Sequence, residues 1–202
     1  CSSDLPVQLV LRPHQDFRGY AGQIASGRVR VGDRVIASPS GRTAHVNRIV
    51  TFDGDLDAAF APMSVTLALD DEIDISRGDV ITTEPPTVGT AFEAEVVWMD
   101  ERPLDPSRVY LLKHTTRTVT AQINHPLLLN QIGTVAVSTS RPIVFDRYEQ
   151  NRATGSFILI DPATHFTAGA GMITNAIREG NIAHVAAPVS AAERSFIPTP
   201  DG

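Results

Sequence analysis

The chain has 202 residues, a formal net charge of −6 and 42% hydrophobic residues. That length buries a core without disulfide or metal staples, and the acidic balance works against general binding to a nucleic-acid backbone. No apolar run approaches the ~18 residues of a membrane-spanning helix, no signal peptide opens the chain, and the one cysteine, Cys1, excludes an internal disulfide framework, so a cytoplasmic location is expected.

In chain order, residues 17–41 (FRGYAGQIASGRVRVGDRVIASPSG) come first. Gly27 permits a bend between two strands; Val29 and Val31 are expected on one face, Arg28 and Arg30 on the other. Gly32-Asp33 and Pro39-Ser40-Gly41 read as hairpin turns. Gly19, Gly22, Gly27, Gly32 and Gly41 are expected at turns and barrel bends. Residues 55–61 allow a short helical turn. Val65, Leu67 and Leu69 alternate with Ser64, Thr66 and Ala68, as in a half-buried strand. The acidic run Asp70, Asp71, Glu72 and Asp74 lacks the glycine and spacing of a calcium loop and reads as a solvated turn. Arg77, beside Gly78-Asp79, is expected to be a structural ion-pair partner.

Pro85-Pro86 cannot sit in a central strand and makes a stiff connector. The expected division is therefore one barrel over residues 1–86, a second over 87–187 and a tail over 188–202. In the second half, Phe92, Ala94, Val96 and Trp98 alternate with Glu93, Glu95 and Val97. Val119, Ala121 and Ile123 alternate with Thr118, Thr120 and Gln122. Phe157-Ile158-Leu159-Ile160 is apolar on both faces and is expected to be a covered central strand. Residues 190–193 have capping-box spacing but read as ordered tail or linker. Short alternating runs punctuated by turns predict an all-β chain of two consecutive antiparallel β-barrels.

Catalytic signatures are missing from these residues. Lys113 is the only lysine and has no glycines before it, so there is no phosphate-cradling loop. The six histidines are scattered, without zinc-site spacing, and no serine-nucleophile elbow occurs. No catalytic, cofactor-binding or metal residues are expected, and binding must carry the function. Arg147, Tyr148, Asn151 and Arg152 mix an aromatic ring with donors and form a candidate partner interface. The alternative is a polar network between the barrels.

Residues 17–41 resemble the second domain of the translational GTPase superfamily, the barrel behind the nucleotide domain in elongation factor Tu. Residues 49–55 (IVTFDGD) and 71–81 (DEIDISRGDVI) are more specific and look like the GTPase (large) subunit of bacterial sulfate adenylyltransferase, or ATP sulfurylase. Residues 93–113 and 145–173 are similar to that subunit's third domain, and the R-Y-x-x-N-x-x-T-G element at 147–155 is the sharpest motif. The resemblance spans residues 6–173. It implies docking barrels without a bound cofactor, behind a GTPase domain that carries GTP and magnesium. It implies a small catalytic subunit that joins ATP and sulfate into adenosine 5′-phosphosulfate and pyrophosphate. Residues 188–196 resemble the linker before a fused adenylylsulfate kinase, although these residues contain no second P-loop. Two features depart from the pattern. The expected GTPase domain is not among these residues, and Ile123 passes into Asn124 where related sequences carry a longer segment. The alternatives are a translation-factor fragment that binds charged tRNA, and a free-standing protein-binding module. The acidic balance speaks against the first, and Ile160-Asp161 stands where elongation factor Tu carries an arginine followed by an acidic residue.

Overall fold

The computed structural model describes residues 3–14 and 17–177. The expected tail, including residues 188–202 and the capping-box spacing at 190–193, lies outside them. Every strand pair among the described residues is antiparallel.

The first half contains β1 (Asp4–His14), β2 (Phe17–Gln23), β3 (Arg28–Arg30), β4 (Arg34–Ser38), β5 (Arg42–Thr51), β6 (Gly54–Leu56), β7 (Ala58–Phe60), β8 (Ser64–Leu69) and β9 (Val80–Thr82). Their order is β4-β9-β1-β2-β8-β5, and β5 pairs back onto β4, which closes a ring of strands. β6 extends β5, and β3 pairs with β7 as a separate ribbon. Alternation fills the barrel: Leu5, Val7, Tyr20, Val35, Val46, Ile49, Val65 and Leu67 point inward and are buried.

The second half contains β10 (Val88–Trp98), β11 (Tyr110–His114), β12 (Arg117–Ile123), β13 (Ile132–Val144), β14 (Ser156–Ile160) and β15 (Thr167–Ala176). They close in the order β10-β13-β12-β11-β14-β15. The inward rows Phe92, Ala94, Val96, Trp98 and Val119, Ala121, Ile123 are buried. Phe92 packs on Phe145 and Phe157 at 5.3 and 5.5 Å between ring centroids, and Trp98 meets Tyr110 edge-on at 5.4 Å. Each such buried ring is worth ~1.5–3 kcal/mol from area alone.

Four expectations need correction. Residues 55–61 form no helical turn but run into β6 and β7, because Leu56 pairs with Ile49 and Ala59 with Val29. Val31 is exposed, unlike Val29, because the chain has left β3 and is turning at Gly32. Ile158 and Ile160 are only half-buried; β14 is central in its pairing, but its outer face is not covered. Gly19 and Gly22 are not turn residues. Both lie inside β2, where a Cβ on Gly19 would stand 2.5 Å from the Thr66 methyl and one on Gly22 2.3 Å from the Pro6 carbonyl oxygen. Close strand approach, not backbone dihedral, demands glycine there.

At residues 123–124 the chain is tightly held. Asn124 N donates to Ala136 O at 3.1 Å, and Ala136 N donates to the Asn124 side-chain oxygen at 2.7 Å.

Candidate functional site

The candidate residues sit on the loop 145–155 between β13 and β14. This loop is tied down by its own backbone. Tyr148 N donates to Ile173 O at 2.9 Å, Asn151 N to Arg147 O at 3.0 Å and Gly155 N to Asn151 O at 2.8 Å. A Cβ on Gly155 would stand 2.4 Å from Tyr148 Cα and 2.7 Å from Asn151 O. The glycine lets the loop fold against itself.

Side chains complete the knot. Asp146 accepts from the Thr154 hydroxyl at 2.5 Å and from Asn151 Nδ2 at 3.4 Å. The Asn151 side-chain oxygen accepts from Ala153 N at 3.1 Å. Below it, the buried His114 on β11 contacts the Thr154 carbonyl through Nε2 at 2.7 Å. A carbonyl only accepts, so Nε2 carries the proton. Burial holds the His114 pKa below its ordinary value.

The four residues therefore separate. Asn151 is structural: half-buried, it organises the loop and reaches across to Asp4 of β1 at 3.4 Å. Arg147 and Arg152 are exposed, and the Arg152 guanidinium lies 5.9 Å from the centroid of the half-buried Tyr148 ring. Arg147, Tyr148 and Arg152 thus form one outward surface over a rigid base. It offers a flat ring and cationic donors, a combination suited to protein contact and not to bond-making chemistry.

This loop lies at the end of the second barrel that meets the first. There Asp79 pairs with Arg117 at 3.7 Å, and Gly78 packs on the Arg117 stem. A cavity of about 200 Å³ opens beside this contact, between Pro6, Gln8 and Gln23 on one side and Thr115, Thr116 and Ala153 on the other. The expectation for Arg77 fails: it is exposed and has no ion pair among the described residues, while its neighbour Asp79 makes one. At Gly78, with φ of 95°, the turn sends Arg77 outward and aims Asp79 at the second barrel.

The sequence reading missed His114, Asp4 and Arg117. His114 had a readable signal, since it follows Tyr110 and Leu112 at strand spacing and so falls on their inward face. Three of the four acids in the acidic run, Asp70, Glu72 and Asp74, have partners at the surface. His45 meets Asp70 and Arg12 meets Glu72, both at 3.1 Å, while Arg18 lies 3.9 Å from Asp74. The groove of about 160 Å³ at Arg18 mixes Arg48 and Asn47 with Asp71 and Glu72, which does not fit a free anion. Among the described residues no group of three or more His, Cys, Asp or Glu is placed to hold a metal ion, and no helix is long and apolar enough to cross a membrane.

Several known proteins are similar to this chain. The family described as GTP-eEF1A C-terminal domain-like matches residues 124–174. Sulfate adenylyltransferase subunit 1 of Bacteroides fragilis is 46% identical over 192 residues, covering 86% of this chain and 40% of that protein. The protein of the same name from Alteromonas mediterranea is 44% identical over 209 residues, covering 95% and 44%. Bifunctional enzyme NodQ of Rhizobium sp. (strain BR816) is 44% identical over 197 residues, covering 89% and 31%. The chain thus spans less than half the length of these curated relatives. The crystal structure of sup35 complexed with GDP superposes with a TM-score of 0.79 at 16% identity, covering 88% of this chain and 48% of that one. That likeness shows the fold alone.

Proposed function

We propose that this chain, a homologue of sulfate adenylyltransferase subunit 1, is the two-barrel docking and coupling part of that enzyme's large subunit. The whole enzyme joins ATP and sulfate to give adenosine 5′-phosphosulfate and pyrophosphate. GTP hydrolysis, with magnesium, occurs on a GTPase domain outside these residues and drives the uphill step. A small subunit does the adenylyl transfer. The barrels receive the small subunit and the GTPase domain on their surfaces and pass the nucleotide state from one to the other. An adenylylsulfate kinase domain after the barrels, as in the fused forms, belongs to the same proposal.

The observation that carries this reading is identity of 44–46% that extends over both barrels, with coverage up to 95% of the chain. The geometry supports it. Arg147, Tyr148 and Arg152 stand outward on a loop fixed by Asn151, Asp146 and Gly155, so the contact surface is pre-formed and little ordering entropy is lost on binding.

A pull-down of the small nucleotidyltransferase subunit by this chain tests it, and specific retention is expected. No retention, together with a gel shift of charged tRNA at low salt, would replace this reading with a translation-factor one.

A further inference from the structure

The end of the second barrel away from the first is apolar at its centre. Three adjacent segments build it. Met99 N donates to Ala168 O, which sets Met99 beside the 161–168 turn; Asn130 N donates to Trp98 O, which sets the 128–131 turn on the other side. These segments expose Phe166 at 75%, Leu128 at 61%, Leu129 at 47% and Met99 at 44%. Phe52 is more exposed but stands apart on the β5–β6 hairpin of the first barrel.

The base beneath this end is rigid. Asp161, buried, accepts from Arg102 at 3.0 Å, Arg108 at 3.2 Å and Ala163 N at 2.7 Å. The Trp98 indole donates to Arg102 O at 2.7 Å, and Leu104 N donates to Leu127 O at 2.8 Å. The exposed apolar side chains therefore do not mark a loose end, and water is left against a surface held in place.

We infer that this far end is a second interface, taken by a separate polypeptide with an apolar centre and a basic rim, the small catalytic subunit. Charge selects the occupant. Asp100, Glu101 and Asp105 lie on the segment beside the patch, and the charges of Arg102 and Arg108 are already engaged by the buried Asp161 and, for Arg102, by Asp100, so the balance at this end is acidic. Two copies of this chain meeting here would set like charges face to face, whereas a basic rim complements them. The inference rests on the function proposed above and adds to it a contact remote from Arg147 and Tyr148.

Calorimetric titration of this chain with the small subunit tests it. Leu128→Ser with Phe166→Ser should weaken binding by about tenfold or more, and Glu101→Arg should weaken it most at low salt. Both variants alter exposed side chains, and unchanged thermal melts verify their folds. Wild-type affinity in both variants overturns this interface, while the function stands if Arg147→Ala with Tyr148→Ala still weakens binding. No binding by the unaltered chain overturns both. A dimer of the chain alone in sedimentation velocity, lost in Leu128→Ser with Phe166→Ser, assigns the surface to a second copy and overturns the inference.

Discussion

His114 Nε2 and the Thr154 carbonyl oxygen lie 2.7 Å apart inside the second barrel, so a core strand directly holds the 145–155 loop. Protonating His114 would place a charge in a desolvated site, and its pKa is lowered by that burial. The folded state therefore binds this proton less readily than the unfolded chain. The stabilising effect is full above the unfolded value of about 6.5 and declines as pH falls below it. Urea melts at pH 7.5 and pH 5 should show lower stability at pH 5. His114→Leu should shrink that difference while costing ~0.5–1.5 kcal/mol at pH 7.5, because it removes the shorter of two hydrogen bonds to the Thr154 carbonyl, which keeps the one from Asp146 N at 3.3 Å. An unchanged pH difference in the variant would remove His114 from this role.

Gly155 and Gly41 predict a contrast between two kinds of glycine. Gly41 has φ of 75°, and a Cβ added there would meet nothing within 4 Å, so Gly41→Ala meets only backbone strain of ~1 kcal/mol. Gly155→Ala drives a methyl into the Tyr148 and Asn151 backbone and should cost up to ~3 kcal/mol. Chemical denaturation of the two variants measures the difference. Equal costs would mean that the loop relaxes and does not form a fixed base.

Asp161→Asn tests the far end of the same barrel. It removes the charge that Arg102 and Arg108 share while keeping the volume. Loss of charge-assisted hydrogen bonds at a buried carboxylate predicts a cost of ~1.5–3 kcal/mol in a denaturant melt at pH 7. The Asp161 pKa is lowered, first by its bond from Ala163 N, so this contribution is present above the ordinary carboxylate range and is lost as pH falls through the depressed value. A melt equal to wild type would show that the two arginines give the barrel end no stability.

The barrels were legible because their strands are half-buried: Phe92 to Trp98 and Val119 to Ile123 alternate, and a period of two matches the pleat of a strand and not the turn of a helix. The residues 55–61 misled because Leu56 and Ala59 suit a helix as well as a strand, and pairing with Ile49 and Val29 decided the matter. The 145–155 loop was legible as a motif but not as roles. Nothing local distinguishes Asn151, turned inward to Asp4 and Asp146, from Arg152, turned outward over Tyr148. Asn151 and Arg117 each reach a partner in the other barrel, and one sequence carries no record of such long-range pairs. Gly19 and Gly22 look like turn residues for the same reason: the atoms that exclude a side chain there belong to Thr66 and Pro6.

Arg147→Ala combined with Tyr148→Ala should weaken binding of the small subunit by about tenfold or more while leaving the fold intact. The fold should survive because the loop is fixed through backbone bonds of Arg147, Tyr148 and Asn151 and through the side chains of Asn151, Asp146 and Thr154, none of which the double substitution removes. Arg147 has no side-chain hydrogen bond or ion pair among the described residues, so its truncation exposes no buried partner. Arg152 is different. It sits over the Tyr148 ring at 5.9 Å, so Arg152→Ala and Tyr148→Ala should be non-additive in a double-mutant cycle of binding energies. Calorimetry with thermal melts on the same samples separates these effects. Unchanged affinity at unchanged melting temperature would sink the loop as an interface, and a lowered melting temperature with proportionately lower active fraction would assign the pair to holding the barrel together.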